Sequence, residues 1–226
     1  MSRATVAPES TNRHDWQSSA RAFGARWLPA LAIVAGIIVL WEGYVRVFDI
    51  EKWLLPAPSA VVATIGDSAG LLARHSWVTL EEIAIGFGLA LAAGVALAST
   101  IGLSRTVERA LYPFVIASQT IPIIVIAPML LIWVGYGLAP KVIVVALISF
   151  FPIAVNMADG LKSADADTIS LMRTLGANRW QIFVKVQAPT SLPYLFSGMR
   201  VAIAVSVIGA VIGEWVGSSE GLGYLM

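Results

Sequence analysis

The sequence predicts an all-α protein, a polytopic membrane helix bundle with five transmembrane helices. Three observations carry that prediction. Of 226 residues only 13% are charged and 58% are hydrophobic, with a mean hydropathy of +0.79. Soluble domains carry about 25% charged residues, so this chain has too little charge to coat a globule in water. Five apolar segments, roughly 27–47, 82–103, 111–135, 140–157 and 194–217, are long enough, or nearly so, to cross about 30 Å of hydrocarbon. None alternates like a barrel strand, and backbone polar groups in lipid must be satisfied within the segment, so the spans are helices.

Residues 1–26 are polar, with Arg3, Arg13, Arg21 and Arg26 among Ser, Thr and Gln, and read as a mobile cytoplasmic tail. A signal peptide is the competing reading. The apolar run Trp27–Val45 is longer than the 7–15 residues typical of such a core and has no small-residue cleavage site after it. Residues 48–81 form a polar connection holding Leu55-Pro56-Ala57-Pro58-Ser59, with a surface helix expected from Ser59 to about Ala73. Glu81 and Glu82 open the second segment and are expected in the interfacial region. The third segment contains Pro113, Pro122 and Pro128, and the fourth contains Pro152. Interior prolines bend a helix, and bent helices are tolerated where neighbours or a cavity satisfy the freed carbonyls. Segments three and four are therefore placed inside the bundle.

Two stripes of small residues recur at a spacing of four: Gly86, Ala90, Gly94, Ala98 and Gly102, then Gly209, Gly213, Gly217 and Gly221. Residues four apart share a helix face, so each stripe is a smooth groove for another backbone. Packing within one chain is one reading. A subunit interface or a sliding surface is the other.

With the N-terminus in the cytoplasm, eleven of the fifteen basic residues lie inside, and only Arg46, Lys52, Arg74 and Lys141 lie outside. That bias supports an N-in orientation. The totals exclude other functions. The chain has no cysteine, its two histidines (His14 and His75) have no ligand cluster, and no Gly-Lys-Ser/Thr loop is present. No metal or cofactor is expected, and any ATP must be hydrolysed by another protein. A net charge of +1 gives no footprint for nucleic acid. A membrane-embedded enzyme would need paired carboxylates or an activated nucleophile at depth, and the sequence supplies none.

Residues 158–193 form the most informative loop. One short helix is expected to start with Asp167 as its cap and to stop before Gly176, a left-handed position. A second is expected from Asn178 to about Gln187, ending before Pro189. Its Ile182, Phe183 and Val186 make an apolar stripe flanked by Arg179 and Lys185. Such a pair suits docking into a groove on a partner, or lying on the membrane surface.

This loop resembles that of the permease subunits of binding-protein-dependent ABC importers. Their signature runs Glu-Ala-Ala, three residues, Gly, nine residues, Ile, one residue, Leu-Pro. Gly176, Val186, Ala188 and Pro189 stand at the later positions, while Ser170, Leu171 and Met172 replace Glu-Ala-Ala. Leu55-Pro56-Ala57-Pro58-Ser59 is similar to the opening of the nitrate/sulfonate/taurine-type members. Gln119 through Pro122, Ala127-Pro128, Trp133 through Gly137, Phe150 through Pro152, Gly198-Met199-Arg200 and Gly221 through Leu225 follow that family in order. The Gly135-Tyr136-Gly137 turn is similar to permeases for thiamine-precursor pyrimidines or riboflavin.

The resemblance covers residues 27–226 and implies a type I transmembrane domain in a bacterial inner membrane. It further implies a homodimer, a cytoplasmic ATP-binding subunit and an extracytoplasmic substrate-binding protein as partners. The chain itself would be a non-catalytic subunit. The resemblance assigns coupling to Ser170, Gly176, Ala177, Trp180, Ile182, Phe183, Val186 and Pro189, with Gly176 as the turn and Trp180, Ile182 and Phe183 as the docking surface. Polar residues at membrane depth are the candidates for a substrate pathway: Ser118, Gln119, Thr120, Ser149, Asn156, Ser206 and Glu214. Interhelical hydrogen bonding is the alternative for each. For Glu214, solvation at the outer mouth is expected, with gating as the alternative. Family members continue beyond Gly221–Leu225 with one more membrane helix, which this sequence, stopping at Met226, lacks. A non-transporting remnant or membrane scaffold is thus the alternative function.

Overall fold

The computed structural model describes residues 15–226, with side chains from residue 28 onward except that of Arg105. Most of the polar tail lies outside the described residues, and its last part belongs to a helix. The chain divides into two compact units, Met1–Ala69 and Gly70–Met226.

The first unit holds α1 (Asp15–Val47) and α2 (Pro58–Asp67). The expected first span is the apolar part of α1, Leu28–Val47. Pro58 opens α2, where its fixed φ and missing N–H suit the first turn. Glu42 on α1 holds that turn. Its carboxylate accepts from the Ser59 N–H at 3.0 Å, the Ser59 hydroxyl at 2.7 Å and Arg46 Nε at 2.7 Å. The helix expected to reach Ala73 breaks at Ser68.

The second unit begins with α3 (Ala69–Leu103), thirteen residues of which lie before the apolar segment 82–103. The buried residues of α3 explain its length: His75, Thr79, Glu82, Gly86, Ala90, Gly94, Ala98 and Ile101. One buried face runs the whole helix at spacings of three and four. Its first turns are polar, so hydropathy assigned them to a connection.

The third apolar segment is not one rod. It forms α4 (Arg105–Ser118) and α5 (Ile123–Val134), bent by 97° at a four-residue break. Pro122 offers no N–H to the carbonyl of Ser118 and disfavours helical geometry at Ile121. The last turn tightens instead, Gln119 N–H donating to Ile116 O and Thr120 N–H to Ala117 O. Gly135 and Gly137, at φ 92° and 122°, turn the chain into α6 (Leu138–Lys162), a conformation side chains resist.

α6 is the central helix, and half of its apolar stretch is buried. The first small-residue stripe lays α3 along it. A Cβ at Gly86 would lie 2.6 Å from Val145 Cβ, one at Gly94 2.8 Å from Ile153 Cγ2, and one at Gly102 2.9 Å from Leu161 Cδ1. The second stripe lays α9 (Ala188–Gly217) on another side of α6 in the antiparallel direction, Gly209 against Ile148 and Gly213 against Lys141. Ala90, Ile153 and Ala202 close the contact among the three helices. Both grooves are therefore filled by the same chain, the packing reading of the stripes. Gly221 belongs to a loop beyond α9 rather than to its face.

Between α6 and α9 lie α7 (Ala166–Thr174) and α8 (Arg179–Ile182). α8 does not stop before Pro189 as expected. It passes through a π-helical turn, Phe183–Gln187, into α9, and together they form one 39-residue helix. Pro189 would leave a carbonyl unpaired and clash with it in a regular helix. The wider turn lets the Ala188 N–H reach Phe183 O, five residues back. A last short turn, α10 (Leu222–Leu225), follows Gly221.

The packing predicts a sharp contrast between glycines. Gly198→Ala places its methyl 2.6 Å from Pro152 O and 3.0 Å from Asn156 Cβ, and should destabilise the chain by about 1–3 kcal/mol. Gly88→Ala, with nothing within 4 Å, should be neutral or stabilising. Thermal unfolding of both variants in one detergent measures the difference.

Candidate functional site

The site legible in sequence is the helix pair α7 and α8. Asp165, not Asp167, caps α7, accepting from the Thr168 N–H at 2.8 Å and the Thr168 hydroxyl at 2.6 Å. These bonds, the hydroxyl's first, hold the Asp165 carboxyl below its usual carboxylate range. Asp167 falls in the first turn, where a negative charge suits the helix dipole. Gly176 has φ 80°, as its place between the helices required. α8 starts with a capping box, Asn178 and Gln181 exchanging hydrogen bonds of 2.8 Å in each direction.

Side-chain placement divides the expected docking set. Ile182 and Phe183 are buried, Phe183 in the cluster of Ala98, Ile101, Met157, Ala158 and Leu161. Phe183 thus anchors the end of α8 against α3 and α6, and neither residue offers surface, which corrects that part of the reading. Val186 and Ala177 are half-buried. The outward apolar groups are Leu171 at 59% exposure, Leu175 at 74% and Trp180 at 61%, the Trp180 ring stacked on Phe183 at 5.6 Å. Ser170 and Pro189 are also exposed. Leu171 and Leu175 carry no glycine, proline or signature position to mark them; their spacing of four, along α7 to its C-cap, was the available signal.

An open cavity of about 560 Å³ lies beside the pair, lined among others by Glu108, Lys162, Ser170, Arg173, Arg179 and Gln187. Lys162 Nζ sits 2.9 Å from Glu108 and 4.1 Å above the Tyr112 ring, tying α4 to α6 at this end.

The pathway candidates scatter. Ser118, Gln119 and Thr120 are exposed at the elbow between α4 and α5, where the Ser118 and Thr120 hydroxyls donate to Val115 O and Ala117 O at 2.7 Å. Ser149 and Ser206 are fully buried in the packing of α6 and α9. Ser149 donates to Ala202 O at 3.4 Å and Ser206 to Ile203 O at 2.7 Å. They fill the close contact and line no path within the chain. Asn156 is half-buried and donates to Pro152 O at 2.8 Å.

Glu214 is not solvated at a mouth; it is 1% exposed. The Thr79 hydroxyl donates to its Oε1 at 2.6 Å and the Gly223 N–H to its Oε2 at 2.5 Å. Thr79 Oγ1 accepts from the Leu222 N–H at 2.9 Å, and His75 Nδ1 accepts from the Gly221 N–H at 2.9 Å. Together these bonds clasp the segment after α9 onto α3. A Cβ at Gly221 would fall on the Glu214 carboxylate. Beside the clasp, Glu82 is buried within the bundle and paired with buried Lys141 at 2.5 Å. Two buried carboxylates, distant in sequence, are thus brought to one end of the bundle by separate helices.

Comparison with known proteins gives this architecture its family. The family described as "Binding-protein-dependent transport system inner membrane component" matches residues 86–226. The formylaminopyrimidine transport permease protein ThiX of Halalkalibacterium halodurans is 42% identical over 189 residues, covering 83% of this chain and 75% of the relative. The riboflavin transport system permease protein RibX of Chloroflexus aurantiacus is 37% identical over 228 residues, covering 100% and 82%. A putative aliphatic sulfonates transport permease protein SsuC of Bacillus subtilis is 29% identical, covering 88% and 73%. With its apolar helices and these matches, the chain belongs to the inner membrane components of binding-protein-dependent transport systems, the permeases of ABC importers.

Proposed function

We propose that this permease forms, as a homodimer in a bacterial plasma membrane, the translocation path for a small polar solute. In this reading the N-terminus and the α7–α8 pair face the cytoplasm, as the distribution of basic residues favours. A soluble binding protein delivers solute to the opposite face, and a separate ATP-binding subunit grips α7 and α8. The observation that carries the reading is the outward apolar face of Leu171, Leu175 and Trp180 around the Gly176 turn. Arg173 and Arg179 line the cavity beside the pair, and Phe183, where α8 ends, is held in the core. An apolar knob of this kind fits a groove on a partner.

The relatives named for formylaminopyrimidine and riboflavin transport make a nitrogen heterocycle the favoured solute class. Of the pathway candidates, Ser118, Gln119 and Thr120 at the exposed elbow are proposed to contact solute, with half-buried Asn156, one turn after Pro152 on α6. The test is reconstitution with the ATP-binding subunit and binding protein in proteoliposomes. Solute-stimulated ATP hydrolysis is then screened across aminopyrimidines, flavins, sulfonates and taurine. Stimulation by heterocycles supports the class, and stimulation by sulfonates alone overturns it.

Trp180→Ala should weaken binding of the ATP-binding subunit about tenfold or more, read by titration of the detergent-solubilised complex. Gly176→Val should uncouple ATP hydrolysis from uptake, because a β-branched residue resists φ 80°. Gly176→Asn should retain more coupling, since asparagine tolerates that conformation. Unchanged uptake by Gly176→Val would sink the docking role.

Acidification should fray α7. Asp165 is held ionised below its ordinary range, so its support is complete at neutral pH and is lost as pH falls through the lowered value. Protection factors for amide exchange in the 166–174 peptide, with the intrinsic pH dependence divided out, should fall at acid pH in the wild type, and already at neutral pH in Asp165→Ala.

A further inference from the structure

Glu82 on α3, Lys141 on α6 and Glu214 on α9 converge at the end of the bundle remote from α7 and α8, each less than a tenth exposed. Their hydrogen bonds treat the two carboxylates unequally. Both oxygens of Glu214 receive donors, from Thr79 and from the Gly223 N–H, which is the environment of an ionised carboxylate. Glu82 receives Lys141 Nζ on Oε1, while its Oε2 is buried with no partner. Thr79, which bonds Glu214, lies three residues from Glu82 on the buried face of α3, and Gly213, next to Glu214, packs on Lys141.

Charge balance exposes the same fault. Two carboxylates and one ammonium leave a net negative charge among buried side chains, which is costly. Adjacent carboxylates also resist ionising together. A proton on Glu82 Oε2 cures both, turning an orphaned acceptor into a donor towards Glu214 and making the cluster neutral. We propose that the Glu82–Glu214 pair is a proton-binding site, occupied in the clasped state, and that its proton holds the segment after α9 against α3.

The surrounding groups leave that role to a proton. Glu81, on the exposed side of α3, adds negative charge. Arg74 is engaged by Glu220 at 2.5 Å across the clasp, both partly exposed. His75 is occupied by Gly221 and stacked on Tyr224 at 6.1 Å. Lys141 is the cation bonded to the pair. An open cavity of about 710 Å³, lined by Glu81, Glu82, Tyr136, Lys141 and Glu220 among others, brings solvent to the cluster. Losing the proton would set two anions side by side and loosen Glu214, which carries the Gly223 N–H. The clasp therefore weakens where that proton is lost.

The test uses the full chain in lipid nanodiscs. Infrared spectra at neutral pH should show a protonated-carboxyl C=O band that disappears in Glu82→Gln and persists in Glu81→Gln. Protection factors of the 218–226 peptide, with the intrinsic pH dependence of amide exchange divided out, should fall towards alkaline pH in the wild type. They should hold in Glu82→Gln, whose amide mimics the protonated acid. Absence of the band in the wild type, or its survival in Glu82→Gln, overturns the proposal. Should Glu82→Gln fail to fold, Glu214→Gln decides: Lys141 then neutralises Glu82 alone and the band must vanish, and a surviving band overturns the proposal.

Discussion

The carbonyl oxygen of Pro152 on α6 approaches Gly198 on α9 so closely that a methyl group there would lie 2.6 Å from it. On another side of α6, Gly86 and Gly94 of α3 come as near to Val145 and Ile153. In lipid the hydrophobic effect does not draw helices together, so association rests on van der Waals contact and interhelical hydrogen bonds. Close approach requires the glycines and alanines that line these faces. Everything positioned at the two ends depends on it.

Because α6 is gripped from two sides, the groups at its ends are carried by rigid neighbours. At one end Ile182 and Phe183 insert beside Leu161 and Met157, leaving Leu171, Leu175 and Trp180 to face outward. At the other, Lys141 meets Glu82, and Glu214 reaches back to Thr79. The helix Arg179–Gly217 links both ends without a break. From Trp180 to Glu214 it spans roughly 50 Å at the usual rise per residue. A force on the knob and a change at the clasp therefore share one element, whose π turn at Phe183–Gln187 is its local irregularity.

The five apolar segments, the stop at Gly176, the turn at Gly135-Tyr136-Gly137 and the bend before Pro122 were all legible, because each is a local backbone rule. The misses have a common cause. Thr79 and Glu82 read as polar connection and interface, since hydropathy weighs residues one at a time and cannot see a polar turn extend a buried face. Ile182 and Phe183 read as docking surface because periodicity finds an apolar stripe without saying what covers it. Pro189 read as a helix stop, though a π turn carries the helix past it. Asp167 read as the cap, though Asp165 takes that place, because a cap is fixed by where the first turn begins and two carboxylates two residues apart fit the same pattern.

Sequence by itself determined that this is a helical membrane protein with small-residue packing faces and a glycine-hinged loop. Charge scarcity, segment length and residue spacing are properties of the chain alone. Only the tertiary structure decided which apolar groups of the loop face outward, and that Glu82, Lys141 and Glu214, up to 132 residues apart in sequence, are buried at one end of the bundle. Burial and charge pairing between helices arise from their packing, and local sequence carries no record of the partner.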